Sequence, residues 1–196
     1  RATKYQQIVS EILLQRTKAE TVAKYYDTFF SKFPDWNALA NASLEELEEI
    51  MKPLGLYRHR ARRLYKLGED IRRRGGRIPG NENELRDSGF IGLYVTNAFE
   101  LFILRNRKPL LDVNMSRLLK RYFKPGDFID VRHDKEIQEL ANDIIEVRRC
   151  KELNWAILDY AALVCKTRNP LCGECVLNKH CKYYELSQGD VTEESE

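Results

Sequence analysis

The sequence predicts an all-α chain. Three observations carry that reading. Apolar residues recur at three- and four-residue spacing through most of the chain, no stretch alternates with the period of a strand, and no internal repeat is found. At 196 residues the chain has room for one large domain or two small ones.

The elements follow in order. Residues 4–17 read as a helix with Ile8, Val9, Ile12 and Leu13 on its apolar side and Glu11, Gln15 and Arg16 on a more polar flank. A second helix spans 19–33, with Val22, Tyr26, Phe29, Phe30 and Phe33 inward, and Pro34 ends it. Ser43 with Glu46 forms a capping box that opens a short helix, closed at Lys52 and Pro53. Leu54 to Tyr57 is a tight turn whose Gly55 suits a positive φ. A long helix, Arg58 to Arg74, buries Ala61, Leu64, Leu67 and Ile71. Its polar face carries Arg58, His59, Arg60, Arg62, Arg63, Lys66, Arg72, Arg73 and Arg74, a density suited to phosphate contacts. Gly75 and Gly76 stop it.

Residues 82–87 form a short helix that leads into the turn Ser88 to Gly92. The next helix has Val95, Ala98, Phe99 and Phe102 on one face. A basic loop, Arg105 to Pro109, precedes Leu110, Leu111 and Asp112, and a further helix runs to Phe123. A glycine turn can present backbone N–H groups to a phosphate, and a carboxylate about twenty residues on can act on whatever that phosphate belongs to. Taken alone, the same stretch also reads as a packing unit with an aspartate N-cap. Lys124, Pro125 and Gly126 break the chain, and helices follow at 134–147 and 153–164.

Composition narrows the function classes. The net charge of +3 is unevenly spread, because residues 188–196 hold Asp190, Glu193, Glu194 and Glu196 and no basic residue. Without that tail the body carries 33 basic residues against 26 acidic ones, as a polyanion-binding protein would. The tail is expected to be disordered. No apolar run is long enough to span a membrane, and no signal-peptide pattern opens the chain. The start at Arg1 rather than Met suits a fragment of a longer protein.

Four of the five cysteines, Cys165, Cys172, Cys175 and Cys181, fall within 17 residues as C-x6-C-x2-C-x5-C. Such clustering favours a metal site in a reducing compartment over a disulfide framework. Four thiolates can hold either a zinc ion or a four-iron cluster. One close pair flanked by two longer gaps suits the corners of a cubane. His180 reads as surface and Cys150 as structural.

These features together resemble the helix-hairpin-helix (HhH-GPD) DNA glycosylase superfamily, in its iron–sulfur branch of endonuclease III, adenine DNA glycosylases and archaeal G:T-mismatch thymine glycosylases. Besides the cysteine spacing, Ser10 to Thr17 looks like the segment S-E-[IV]-[ML]-L-Q-x-T, Gly55-Leu56-Tyr57 matches the G-L-Y turn, and Leu111 to Arg117 matches [LV]-D-x-N-x-x-R. The resemblance covers nearly everything before the tail. It implies a two-lobed fold with the active site in the cleft between the lobes: a six-helix barrel lobe with the hairpin at 1–106, and a cluster lobe at 107–187 before the tail at 188–196. Some N-terminal residues that the family adds to the cluster lobe are expected to be missing here.

The resemblance also implies roles. Asp112 maps to the catalytic aspartate, Glu11 would assist the departing base, and Tyr94 would line the pocket. Gln15 would fill the hole left by a flipped base, beside Arg16, while Leu56 wedges the opposite strand. Gly89, Ile91 and Gly92 would anchor DNA through the hairpin. Cys165, Cys172, Cys175 and Cys181 would hold a [4Fe-4S] cluster. Two departures from the family stand out. Tyr94 occupies the position of the lysine nucleophile of bifunctional members, as in the mismatch-thymine group. Phe90 stands where the pattern L-P-G-[VI]-G-x-[KYS] has its first glycine, a costly exchange at positive φ that is expected to rearrange the turn.

The implied activity is removal of thymine or uracil opposite guanine from duplex DNA, by a monomeric intracellular enzyme without a lysine nucleophile. The rival readings are an adenine glycosylase acting opposite guanine or oxidised guanine, and a non-catalytic relative that binds mismatched DNA.

Overall fold

A computed structural model describes residues 2–14, 17, 19–87, 92–126 and 130–189 of the chain. The described residues are helical and contain no strand. The chain divides into two compact units, Arg1–Asn106 and Arg107–Glu196.

The first unit contains α1 (Lys4–Leu14), α2 (Ala19–Lys32), α3 (Trp36–Asn41), α4 (Leu44–Met51), α5 (Tyr57–Arg73), α6 (Glu82–Asp87) and α7 (Leu93–Phe99). The aromatic spacing in α2 does what it implies. Phe29 and Phe30 are buried, and Tyr5 of α1 packs edge-on against Phe30 and Trp36. The Tyr5 hydroxyl is not stranded in this core, because it donates to the Phe33 carbonyl at 2.7 Å. The capping box at α4 forms in full: Ser43 Oγ accepts from Glu46 N at 3.1 Å, and Glu46 accepts from Ser43 N at 3.0 Å. The helix does not stop at Pro53; its last turn tightens into a 3₁₀ segment, Lys52–Leu54.

Helix α5 is the strut of this unit and packs on α3 and α4. Gly68 permits the approach to α3, since a Cβ there would stand 2.6 Å from the Leu39 carbonyl oxygen. The sequence pattern put Arg60 on the solvent face of α5. It is instead 3 % exposed, because its guanidinium turns inward onto backbone carbonyls of the preceding turn. Helix α7 does not end at Phe99 but widens into a π-helical turn, Glu100–Leu104, closed by Arg105 at φ 63°.

The second unit contains α8 (Val113–Phe123), α9 (Lys135–Ile144), α10 (Cys150–Leu163) and α11 (Lys182–Gly189). Leu111, Met115, Leu118, Leu119, Ile137, Ala141 and Ala161 form its core. Lys120 pairs with the buried Asp134 at 2.6 Å, tying α8 to the N-cap of α9. Helix α11 reaches Gly189; the acidic residues beyond it lie outside the described residues.

Candidate active site

Asp112 is the N-cap of α8. Its backbone is extended (φ −111°, ψ −174°), and Oδ1 accepts from the N–H groups of Asn114 and Met115, both at 2.8 Å. Oδ2 accepts from the Asn114 side-chain amide at 2.9 Å. These bonds use most of a carboxylate's roughly four lone-pair sites and lock its orientation. Burial pushes its pKa above the ordinary 3.8, against the opposing pull of the Met115 and Asn114 N–H groups, the Asn114 amide and Arg117. A fixed, poorly solvated carboxylate is suited to stabilising positive charge nearby.

The residues after Asp112 carry its orientation into the cysteine loop. Arg117 donates to Asn114 Oδ1 at 3.0 Å, to the Ala161 carbonyl at 2.8 Å and to the Cys165 carbonyl at 2.8 Å. On the other side, the fully buried Asn154 of α10 accepts from Leu110 N at 2.6 Å and donates to the Lys108 and Cys150 carbonyls. That one amide fixes the strand of chain leading to Asp112. Asn154 was missed in the sequence, where an asparagine on a helix reads as a solvent-facing residue.

In the first unit the structure brings Glu11 and Tyr94 together. The Tyr94 hydroxyl donates to Glu11 Oε2 at 2.6 Å, joining α1 to α7 across 83 positions of sequence. Glu11 is buried and Tyr94 half-buried. A short phenol–carboxylate bond in a shielded place fixes both groups and offers donor and acceptor atoms to a polar ring.

The turn before α5 holds its own anomaly. Gly55 has φ 66° and Leu56, a non-glycine residue, φ 45° and ψ 27°. Left-handed backbone costs a leucine about 1–2 kcal/mol. Its side chain is also 53 % exposed, so neither packing nor local preference holds it there. Gly92 is exposed at the N-cap of α7 with φ −73°, backbone that any residue adopts. Gln15, Arg16, Gly89, Phe90 and Ile91 lie outside the described residues.

The four clustered cysteines line one pocket together with Arg121, Asn178 and Tyr183 among others. Among the described residues, no three His, Cys, Asp or Glu side chains converge on a single-ion site. The thiols are instead spread around a common space, and their surroundings are donors. Tyr160 donates to Cys175 Sγ at 3.3 Å, Arg121 lies 3.5 Å from Cys165 Sγ, and Asn178 secures the Cys172 carbonyl at 3.1 Å. Burial and the neighbouring Cys165, Cys181 and Cys175 push the Cys172 thiol up, a cost that a bound cationic group would reverse.

Residues 9–153 match the family described as HhH-GPD superfamily base excision DNA repair protein. The chain is 35 % identical to a thymine-DNA glycosylase of Aeropyrum pernix over 90 % of this chain and 81 % of that protein. It is 32 % identical to a thymine/uracil-DNA glycosylase of Methanothermobacter thermautotrophicus, over 91 % of this chain and 81 % of that one. Its fold superposes on the solved structure of a thermostable thymine-DNA glycosylase with a TM-score of 0.84 at 31 % identity, covering 95 % of this chain and 86 % of the other. No described helix is long and apolar enough to cross a membrane. The chain therefore belongs to the HhH-GPD superfamily of base excision DNA repair proteins and is a DNA N-glycosylase of that superfamily.

Proposed function

We propose that the enzyme hydrolyses the N-glycosidic bond of thymine or uracil mispaired with guanine, working as a monomer inside the cell. The observation that carries this reading is the 2.6 Å bond between Tyr94 and Glu11. Tyrosine at that position removes the amine that Schiff-base chemistry requires, so the reaction is hydrolysis without a covalent enzyme–sugar intermediate. The names of the two relatives support the choice of base.

A base inside a duplex is out of reach, so the nucleotide leaves the stack, which costs a few kcal/mol and least at a mispair. Gln15 and Leu56 take up the space that opens, and Gly89, Ile91 and Gly92 hold the backbone. Breaking the glycosidic bond develops positive charge on the sugar. Asp112, ionised and held by its N-cap bonds, stabilises that charge and orients the attacking water. Tyr94 and Glu11 contact the departing base, and Glu11 supplies or shares the proton it needs.

Cys165, Cys172, Cys175 and Cys181 are the residues that would hold a [4Fe-4S] cluster. The pocket that the four cysteines share, together with the C-x6-C-x2-C-x5-C spacing, supports a polynuclear group. When bound, that group staples the loop rather than reacting. Iron and sulfide analysis of aerobically purified protein tests this: about four of each per chain are expected, and stoichiometric zinc contradicts it.

A panel of duplexes, each with one mispair, assayed for base release with and without alkali, tests the activity. Release of thymine and uracil opposite guanine, with strand scission only after alkali, is expected. Release of adenine alone, binding without release, or a borohydride-trapped adduct contradicts the reading.

A further inference from the structure

We propose that Arg60 is a positioning residue that holds Leu56 out of the protein surface, so that its effect on DNA is exerted through Leu56. The proposal rests on the reading of Leu56 as the side chain that enters the duplex.

The turn's own backbone bonds are long: Gly55 N donates to the Lys52 carbonyl at 3.4 Å, and the Leu56 carbonyl accepts from His59 N at 3.2 Å and Arg60 N at 3.4 Å. Gly55 (φ 66°, ψ 162°) and Leu56 (φ 45°, ψ 27°) both have positive φ, which strains only the leucine, and Leu56 is 53 % exposed. Strain of this kind persists only where the surroundings over-determine it. Arg60 supplies that restraint from one turn further along α5. It is 3 % exposed, and one terminal nitrogen donates to the Leu54 carbonyl at 2.9 Å and to the Gly55 carbonyl, the two peptide groups directly before Leu56. The other terminal nitrogen donates to Thr17 Oγ1, which itself donates to the Leu54 carbonyl at 3.3 Å. Thr17 is in turn fixed by its own N–H on the Leu14 carbonyl at 3.1 Å.

A guanidinium presents its donors in a rigid planar fork, so bonding the turn with one arm and Thr17 with the other fixes a distance as well as an energy. The charge is buried, and a bond from a buried charge is costly to break. Pushing Leu56 back against the protein would rotate the Gly55 and Leu54 carbonyls away from this fork.

The test is a double-mutant cycle between Arg60→Lys and Leu56→Ala, repeated with Thr17→Val in place of Arg60→Lys. Binding is measured to a G:T duplex carrying a non-hydrolysable 2′-fluoro thymidine, with a fluorescent base stacked beside the mispair to report opening. Thermal melts identify the folded variants, and Thr17→Val leaves the buried charge in place. Leu56→Ala is expected to reduce affinity and opening about tenfold, with Arg60→Lys or Thr17→Val costing several-fold alone and nothing further in the Leu56→Ala background. Additive losses, or an unchanged opening signal in folded Arg60→Lys and Thr17→Val proteins, overturn the proposal. If Leu56→Ala itself binds and opens the duplex normally, the wedge reading fails first and the proposal falls with it.

Discussion

Asp112 and Leu56 are both held against their own preference, and by opposite means. Asp112 is a carboxylate kept in a poorly solvated place, on unstrained extended backbone, by N–H groups of its own helix. Leu56 is an apolar side chain kept in water, on left-handed backbone, by an arginine four residues away. The first cost is electrostatic and the second conformational. The difference follows from the tasks proposed for them. A group that stabilises charge needs low dielectric and a fixed direction, both of which local caps provide. A wedge must project, so it is held from behind.

The largest effect is expected at Asp112. Asp112→Asn keeps a competent N-cap but removes the charge, and single-turnover excision should fall on the order of 10³-fold. Next in size is Tyr94→Phe, which deletes the hydroxyl bonded to Glu11. A roughly tenfold or larger loss in kcat, with duplex affinity little changed, is expected if the pair meets the base in the transition state. A loss confined to affinity would move Tyr94 to simple pocket lining. Leu56→Gly should relieve backbone strain and raise stability by about 1 kcal/mol in chemical denaturation, while weakening DNA engagement. A destabilised Leu56→Gly protein would mean the left-handed turn is not strained.

The smallest effect is the pH dependence of the Asp112→Asn stability difference. The folded-state pKa of Asp112 is raised, so ionised Asp112 costs stability, and this cost is complete above its folded pKa. It vanishes below the unfolded value, where both states bind the proton. Asp112→Asn should therefore be the more stable protein at pH 7, with the gain shrinking as pH falls toward 4. A gain that grows on acidification would contradict the raised pKa.

Much of this was legible in the residues. The capping box at Ser43 and Glu46 is local chemistry and formed as read. So did the periodic helices, because their apolar spacing has one reasonable partner, a core. Asp112 was readable as an N-cap, and its motif implies the catalytic role proposed for it. What escaped were features decided by distant partners. Arg60 lies among seven other basic or histidine residues of α5, and only the carbonyls it meets separate it from them. Asn154 carries no local sign of its contact 44 positions away. Helix α3 is six residues long, capped by Asp35 and burying only Leu39 and Ala40, too short for periodicity to register. The π-helical turn after Phe99 likewise shares its apolar pattern with an ordinary helix end.

In the proposed mechanism, ionised Asp112 acts on a flipped pyrimidine opposite guanine. Single-turnover excision of thymine from a G:T duplex, followed across pH for the wild type and Asp112→Asn, tests it most directly. The wild-type rate should rise through an acid limb set above the ordinary aspartate value of 3.8 and then level, while Asp112→Asn stays near background throughout. An Asp112→Asn enzyme that excises thymine at the wild-type rate, with the same acid limb, would contradict it.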